Sequence, residues 1–226
     1  MAHRVSLFVR AGPCLLAFIS SFCVMVVELV AGRVIAPYVG VSLHTWTAVI
    51  GIVLLGMTVG NLIGGRLADR FDTRKLCAIL FLAAAVACVA ILLLNYLIGR
   101  LDLLLLTKID SWPLRISVHV VVVFLLPATA LGLVGPVVAK MALDLGLEPG
   151  KTVGNVYAWG AIGMILGTFA TGFVLTQLLG VQVIVFSMAG LLALVGIALA
   201  ASGPRRSAER RSAAGDEVKD TAAAEA

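Results

Sequence analysis

Residues 76–98 read LCAILFLAAAVACVAILLLNYLI, and this stretch decides the fold class of the chain. It is 23 residues long and contains no charged side chain. About 20 such residues are enough for a helix to cross the ~30 Å of hydrocarbon in a bilayer. Because lipid offers no partner to backbone N–H and C=O groups, a segment of this kind must pair them internally, as a helix does. The stretch therefore predicts a transmembrane helix.

Further apolar stretches of similar length lie on both sides of it. The chain of 226 residues is 61% hydrophobic and only 13% charged, whereas a soluble domain carries roughly 25% charged residues. The stretches are continuous, so they do not fit the alternating segments of a membrane barrel. We predict an all-α, polytopic membrane bundle of six transmembrane helices in residues 1–203. The other five helices are expected near 12–36, 46–65, 117–139, 153–178 and 181–202.

The two ends of the chain and the cysteines need separate interpretation. A cleaved signal peptide is rejected for the first stretch, because its apolar region is too long and lacks a cleavage site after a short core. Residues 204–226 have no apolar periodicity and are expected to form a disordered tail. The cysteines all fall in apolar stretches without metal-ligand spacing, so no disulfide, metal or cofactor is predicted. They are Cys14, Cys23, Cys77 and Cys88.

Basic residues predict the orientation. With the N-terminus inside, the segments on the inner side hold eight Lys and Arg before the tail, against three or four outside, which fits the positive-inside rule. We therefore expect both termini in the cytoplasm of a bacterial cell, with the chain as a multi-pass protein of its cytoplasmic (inner) membrane and the lipid bilayer as its first partner. No nucleic-acid partner is needed to explain the net charge. The inner set is Arg4, Arg10, Arg66, Arg70, Arg74, Lys75, Lys140 and Lys151.

Prolines and a long connection predict local features of the bundle. Pro37 and Gly40 mark a turn after the first helix, and Pro127 and Pro136 predict a kinked fourth helix. Residues 99–116 form the longest internal connection, and their apolar run is expected to lie on the outer membrane interface.

A faint repeat relates the second helix to the fifth. Residues 56–65 match residues 163–172 at four of ten positions, with a fixed offset of 107. These helices cross the membrane in opposite directions, so the match predicts a 3+3 inverted repeat. Glycines at a spacing of four line one face of each helix and allow close helix contact. We favour a static tight crossing over a sliding contact for Gly56, Gly60, Gly64, Gly163 and Gly167.

Glu28 is the one acidic residue inside an apolar stretch. A carboxylate in hydrocarbon is costly and is often functional. It is five residues from Arg33 and points about 140° away from it around the helix, so the two are not expected to pair. Two interpretations stay open: a site for a proton or a cation, or a hydrogen bond that fixes helix packing. The candidate partners on other helices are Asn61, His119, Asn155 and Gln177, although a lone histidine at the start of the fourth helix is more typical of the interface.

The loop after the second helix carries the most specific motif. Residues 65–75, GRLADRFDTRK, resemble the helix 2–3 signature of the major facilitator superfamily at seven positions, which are Gly65, Leu67, Ala68, Asp69, Arg70, Arg74 and Lys75. Asp72 stands where that signature has a second glycine. We expect Asp69 to cap or charge-pair across the inner helix ends, and the basic residues to hold the loop at the membrane surface.

A narrower resemblance spans most of residues 20–180. The chain resembles the membrane part of the fused major-facilitator/spermidine synthase-like proteins, which implies half of a major-facilitator-like fold. The stretches that carry it are ELVAGRVIAPYVG (28–40), TWT (45–47), GGRLADR (64–70) and GNVYA (154–158), together with Gly163, Gly167-Thr168 and Gly172-Phe173.

Two functions follow from different classes of protein. The soluble aminopropyltransferase-like domain of that family has no counterpart here, so the chain is not expected to be an enzyme. The resemblance implies a non-catalytic membrane partner or anchor of a separate soluble spermidine synthase-like protein. The alternative is a small major-facilitator-like transporter, acting on an amine-like cation as a homodimer of six-helix halves.

Overall fold

The structure is a computed structural model that describes residues 7–101, 111–145 and 148–201. No strand occurs within these ranges. In chain order the elements are α1 (Leu7–Val39), α2 (Leu43–Arg70), α3 (Thr73–Leu101), α4 (Trp112–Gly132), α5 (Val134–Leu143), α6 (Pro149–Ala170), a π-helical turn (Thr171–Leu175), α7 (Thr176–Leu178) and α8 (Val181–Ala201).

The helices form six segments that are long and apolar enough to cross a membrane, so the prediction of six spans is confirmed. Half of the expected connection at 99–116 lies outside the described residues, as does the whole tail from 204. The described half shows a shorter connection than expected, because α3 continues to Leu101 and α4 begins at Trp112. We number the segments span 1 (Ala11–Val39), span 2 (Leu43–Arg70), span 3 (Thr73–Gly99), span 4 (Trp112–Leu143), span 5 (Pro149–Leu178) and span 6 (Val181–Ala201).

Helix boundaries follow local sequence signals, with one correction. Pro37 does not end the first helix, which continues to Val39. It ends at Gly40, where a φ of +72° suits a residue without a Cβ, and the Gly40 N–H bonds the Ala36 carbonyl at 2.9 Å. Ser42 then caps span 2 by accepting from the Thr45 N–H at 3.2 Å.

Span 4 is interrupted at Leu133, between α4 and α5. Pro136 lacks the N–H that would bond the carbonyl of Gly132, and its ring crowds that carbonyl. The predicted kink is therefore confirmed at Pro136, whereas Pro127 lies inside a continuous helix. The π-helical turn in span 5 carried no signal that we recognised in the sequence.

Three pairs of spans make the closest packing: span 2 with span 4, span 1 with span 5, and span 3 with span 6. The repeat makes span 1 equivalent to span 4, span 2 to span 5, and span 3 to span 6. It therefore relates the pair of spans 2 and 4 to the pair of spans 5 and 1, and the pair of spans 3 and 6 to itself. The pairing is thus that of two inverted three-helix repeats.

Glycine contacts reproduce this symmetry residue by residue. Gly60 lies against the carbonyl oxygen of Thr129, and Gly167 lies against the carbonyl oxygen of Phe22. The offset of 107 relates Gly60 to Gly167, and it also relates Phe22 to Thr129. In the same way, Gly56 lies against the carbonyl oxygen of Leu125, and the equivalent residue Gly163 lies against that of Phe18. At all four glycines a Cβ would be closer to its neighbour than van der Waals contact allows. The offset found in spans 2 and 5 therefore also relates spans 1 and 4.

The turns after spans 2 and 4 lie at one end of the bundle, where the Thr73 hydroxyl donates to Asp144 at 3.1 Å. We call this end, with residues 66–75 and 140–145, the basic side. Spans 1, 3 and 4 form the core, since half or more of the residues in the most apolar stretch of each are buried, whereas the corresponding stretches of spans 2 and 5 are only 28% and 22% buried. Spans 2 and 5 therefore present the largest exposed surfaces.

Candidate functional site

Glu28 lies on span 1 in an apolar pocket formed with spans 2 and 4. The pocket has a volume of about 10 Å³, and besides Glu28 it is lined only by aliphatic side chains, Met57, Phe124 and Pro127. Within the part of the chain that the structure describes, no hydrogen bond or ion pair reaches the half-buried carboxyl group. The structure does not bring it to Asn61, His119, Asn155 or Gln177. The interpretation of Glu28 as a hydrogen-bonding residue that fixes helix packing therefore lacks a partner among the described residues.

A larger cavity of about 540 Å³ lies next to the Glu28 pocket, toward the basic side. It is bounded by spans 1, 2, 4 and 5, and its polar side chains are Ser20, Ser21, Asn61 and Tyr157. Only Val24, Met57 and Leu131 line both spaces, so these three side chains form the wall between them. A solute in the cavity would have the Glu28 carboxyl behind this wall.

The cavity also opens sideways. Spans 2 and 5 flank it and make hardly any contact with each other. Asn61 and Tyr157 stand at this opening and both are exposed. In a bilayer the opening would face hydrocarbon unless another molecule covered it.

The other predicted site residues lie elsewhere. Asn155 is exposed on span 5 and does not line the cavity. His119 is fully buried between the helices and is therefore not exposed at a surface of the bundle. Arg33 is exposed, as expected from its place near the helix end, and its Nη1 donates to the Thr176 carbonyl oxygen at 3.4 Å. Arg33 thereby links span 1 to the final turn of span 5, whose carbonyl end favours a cation.

A buried polar network surrounds His119. Its Nε2 lies 3.1 Å from Asn95 Oδ1, and Asn95 Nδ2 donates to the Val34 carbonyl oxygen at 2.9 Å. The Tyr38 ring stacks on the imidazole, with 5.8 Å between the ring centroids. The network joins spans 1, 3 and 4. Asn95 was not among the site residues predicted from the sequence, although an amide inside a long apolar run is a recognisable signal of a contact between helices.

The loop motif on the basic side forms specific contacts. Lys140 Nζ lies 3.9 Å from a carboxylate oxygen of Asp69 and 3.9 Å from one of Asp144, which confirms the expected charge pairing across helix ends. Asp72 accepts from the N–H groups of Arg74 at 3.1 Å and Lys75 at 3.0 Å. The residue that departs from the signature therefore caps span 3. Gly65 has open space beside it, and the side chains of Arg70, Arg74 and Lys75 are exposed.

The described residues contain no candidate metal site. Across residues 7–101, 111–145 and 148–201, no group of three or more His, Cys, Asp and Glu side chains is arranged to hold an ion. The four cysteines are free thiols.

The fold and the site define a class: a multi-pass integral membrane protein made of two inverted three-helix repeats around a partly polar cavity. A family model described as the Major Facilitator Superfamily matches residues 14–225. The chain belongs to this superfamily. No curated protein and no solved structure matches the chain significantly.

Proposed function

We propose that the protein is a transporter of a small organic cation, such as a protonated amine. The observation that carries the proposal is the 540 Å³ cavity next to the Glu28 carboxyl, which has no polar partner among the described residues, in a family of transporters. A ligand site is typically concave, largely apolar and supplied with a few polar groups. Here Ser20, Ser21 and Asn61 supply hydrogen-bond partners within the cavity. The Glu28 carboxylate, behind the wall of Val24, Met57 and Leu131, supplies the charge that favours a cation.

A second copy of the chain completes the cavity in this proposal. Spans 2 and 5 leave a lateral opening with Asn61 at its edge, and an amide facing hydrocarbon is costly. Their exposed faces are rich in large apolar side chains, including Leu62, Ile165 and Phe169. A homodimer that buries these faces would shield the opening. We place this dimer in the cytoplasmic membrane of a bacterium, with the basic side and both termini inside.

Uptake into proteoliposomes tests the proposal, with labelled spermidine as the first of a set of protonated amines. We expect Glu28→Gln to abolish uptake, because the amide keeps the shape and removes the charge. Glu148→Gln is the matched control, since that carboxylate is exposed and pairs with Lys151 at 2.7 Å. Failure of every amine to enter, or equal uptake by both variants, would contradict the proposal.

The second candidate is a membrane anchor for a separate aminopropyltransferase-like enzyme. The stretches at 28–40 and 64–70 support it through their resemblance to spermidine synthase-like proteins, and the exposed Arg66, Arg70, Arg74 and Lys75 offer a docking surface on the basic side. Co-purification of such an enzyme with the wild-type chain, lost when these four residues are replaced by Gln, would favour this candidate. Uptake that needs no partner would favour the transporter.

A further inference from the structure

The break in span 4 lies in the wall of the large cavity. Helix α4 ends at Gly132 and α5 begins at Val134, and both Gly132 and Pro136 line the cavity. In a regular helix the N–H of residue 136 would bond the carbonyl oxygen of residue 132, but proline has no N–H. Gly132 therefore brings a carbonyl group without its usual helical donor to the border of this space.

The side chain of Asn61, on span 2, lies beside the break. Its Oδ1 atom is 3.7 Å from the position that a Cβ would take at Gly135. Gly135 also lines the cavity, three residues along the same wall from Gly132. Within the part of the chain that the structure describes, the Asn61 side chain makes no hydrogen bond. The amide oxygen and the Gly132 carbonyl thus border the same part of the cavity.

Ser20, on span 1, adds a third acceptor. Its hydroxyl donates to the Ala17 carbonyl oxygen of its own helix at 3.1 Å, which uses the only proton that a serine side chain can donate. Toward the cavity, which Ser20 lines, its oxygen can therefore only accept. None of the described residues that line the cavity is a lysine or an arginine. This space thus offers acceptors to a ligand that carries donors.

We infer that the Gly132 carbonyl, the Asn61 amide oxygen and the Ser20 hydroxyl oxygen bind the primary ammonium group of the transported amine. We call these three groups the acceptor site. An ammonium group has three N–H donors and no acceptor, so it matches a site of oxygens, and the Glu28 carboxylate behind the adjoining wall favours its charge. A quaternary ammonium group has the charge without the N–H, and it would leave the oxygens unpaired. The inference rests on the proposed transport function and adds that the cavity selects cations by their N–H groups.

A graded set of ligands tests the inference by binding alone. The probes are butylamine and its N-methyl, N,N-dimethyl and N,N,N-trimethyl derivatives, which are all cations at neutral pH and carry from three N–H groups to none. Their dissociation constants are measured by equilibrium dialysis with the full chain in lipid nanodiscs. We expect the affinity to fall with each methyl group, and butylamine to bind at least about tenfold more tightly than the trimethyl compound.

Two variants each remove one acceptor. Pro136→Ala restores an N–H that can bond the Gly132 carbonyl within the helix, so it withdraws this acceptor while strengthening the helix. Asn61→Leu removes the amide oxygen. The matched controls are Pro37→Ala and Asn155→Leu, since both residues are exposed and neither lines the cavity. Circular dichroism of each variant establishes that it is folded.

We expect Pro136→Ala and Asn61→Leu each to weaken butylamine binding about tenfold and to change the binding of the trimethyl compound by less than about twofold. The two controls should change neither. Equal affinity across the four probes, or a Pro136→Ala variant that binds butylamine as the wild type does, would overturn the inference and leave amine transport possible. If none of the four probes bound and no amine entered proteoliposomes, the proposed function would fail together with it.

Discussion

The imidazole Nε2 of His119 lies 3.1 Å from the side-chain oxygen of Asn95, and both side chains are buried inside a lipid-embedded bundle. Asn95 uses its other end to donate to the Val34 carbonyl oxygen at 2.9 Å. One amide thus bridges spans 1, 3 and 4. Because span 3 also pairs closely with span 6, the bridge connects this pair of spans to spans 1 and 4.

Replacing Asn95 should therefore weaken the fold. We expect Asn95→Ala to lower the free energy of unfolding by about 1–3 kcal/mol, because it removes two buried hydrogen bonds and leaves the His119 ring nitrogen without this partner. Unfolding in detergent micelles, followed by circular dichroism, measures the change. Ser187→Ala is the control, since that exposed hydroxyl donates to the Val183 carbonyl of its own helix. Equal stability of the two variants would show that the bridge contributes nothing.

The glycine crossings give a second prediction, and it is symmetric. Gly60→Ala and Gly167→Ala should each destabilise the protein by about 1–3 kcal/mol, because the new methyl group would overlap the Thr129 or Phe22 carbonyl. Similar losses at the two sites are expected because the repeat makes them equivalent. The same unfolding measurement applies.

Two other glycines provide matched controls for this prediction. A Cβ at Gly51 or Gly190 would meet nothing within 4 Å. Alanine there should be neutral or stabilise its helix by up to about 1 kcal/mol, as expected from helix propensity alone. If all four substitutions had the same effect, the close contacts would not be what makes Gly60 and Gly167 necessary.

Asp72 gives a third prediction about the start of span 3. Because its carboxylate accepts from two N–H groups of the first turn, Asp72→Ala should cost about 0.5–2 kcal/mol, while Asp72→Asn and Asp72→Gly should cost only a few tenths. Stability measurements on the three variants rank them. An alanine variant as stable as the glycine variant would rule out the cap.

Asp69→Asn should change stability by less than about 1 kcal/mol, since its pair with Lys140 is exposed and 3.9 Å long.

Sequence reasoning succeeded where a signal is local or periodic. Long apolar runs gave six spans, Pro136 gave the break in span 4, and the glycines at 56, 60, 163 and 167 gave the repeat. It failed where position depends on how helices rotate against one another. Nothing in the sequence near His119 shows that this face of span 4 meets Asn95. For the same reason, the partners suggested for Glu28 were not found beside it, and the cavity itself was not foreseen.

The proposed homodimer gives the last prediction. The faces of spans 2 and 5 beside the cavity should meet their own copies across a twofold axis, because a symmetric dimer uses the same surface from each chain. Ile165 is 54% exposed on this face of span 5, whereas Ile79 is 62% exposed on span 3. The test uses a variant in which all four native cysteines are replaced by Ala, in native membranes. In this background Ile165→Cys should form a disulfide-linked dimer on oxidation, and Ile79→Cys should not. The cross-link should weaken when Phe169, one turn away and 57% exposed, is replaced by Ala. Cross-linking at Ile79 alone, or at neither position together with a monomeric mass in mild detergent, would place the interface elsewhere or remove it, and the opening beside Asn61 would then need a different cover.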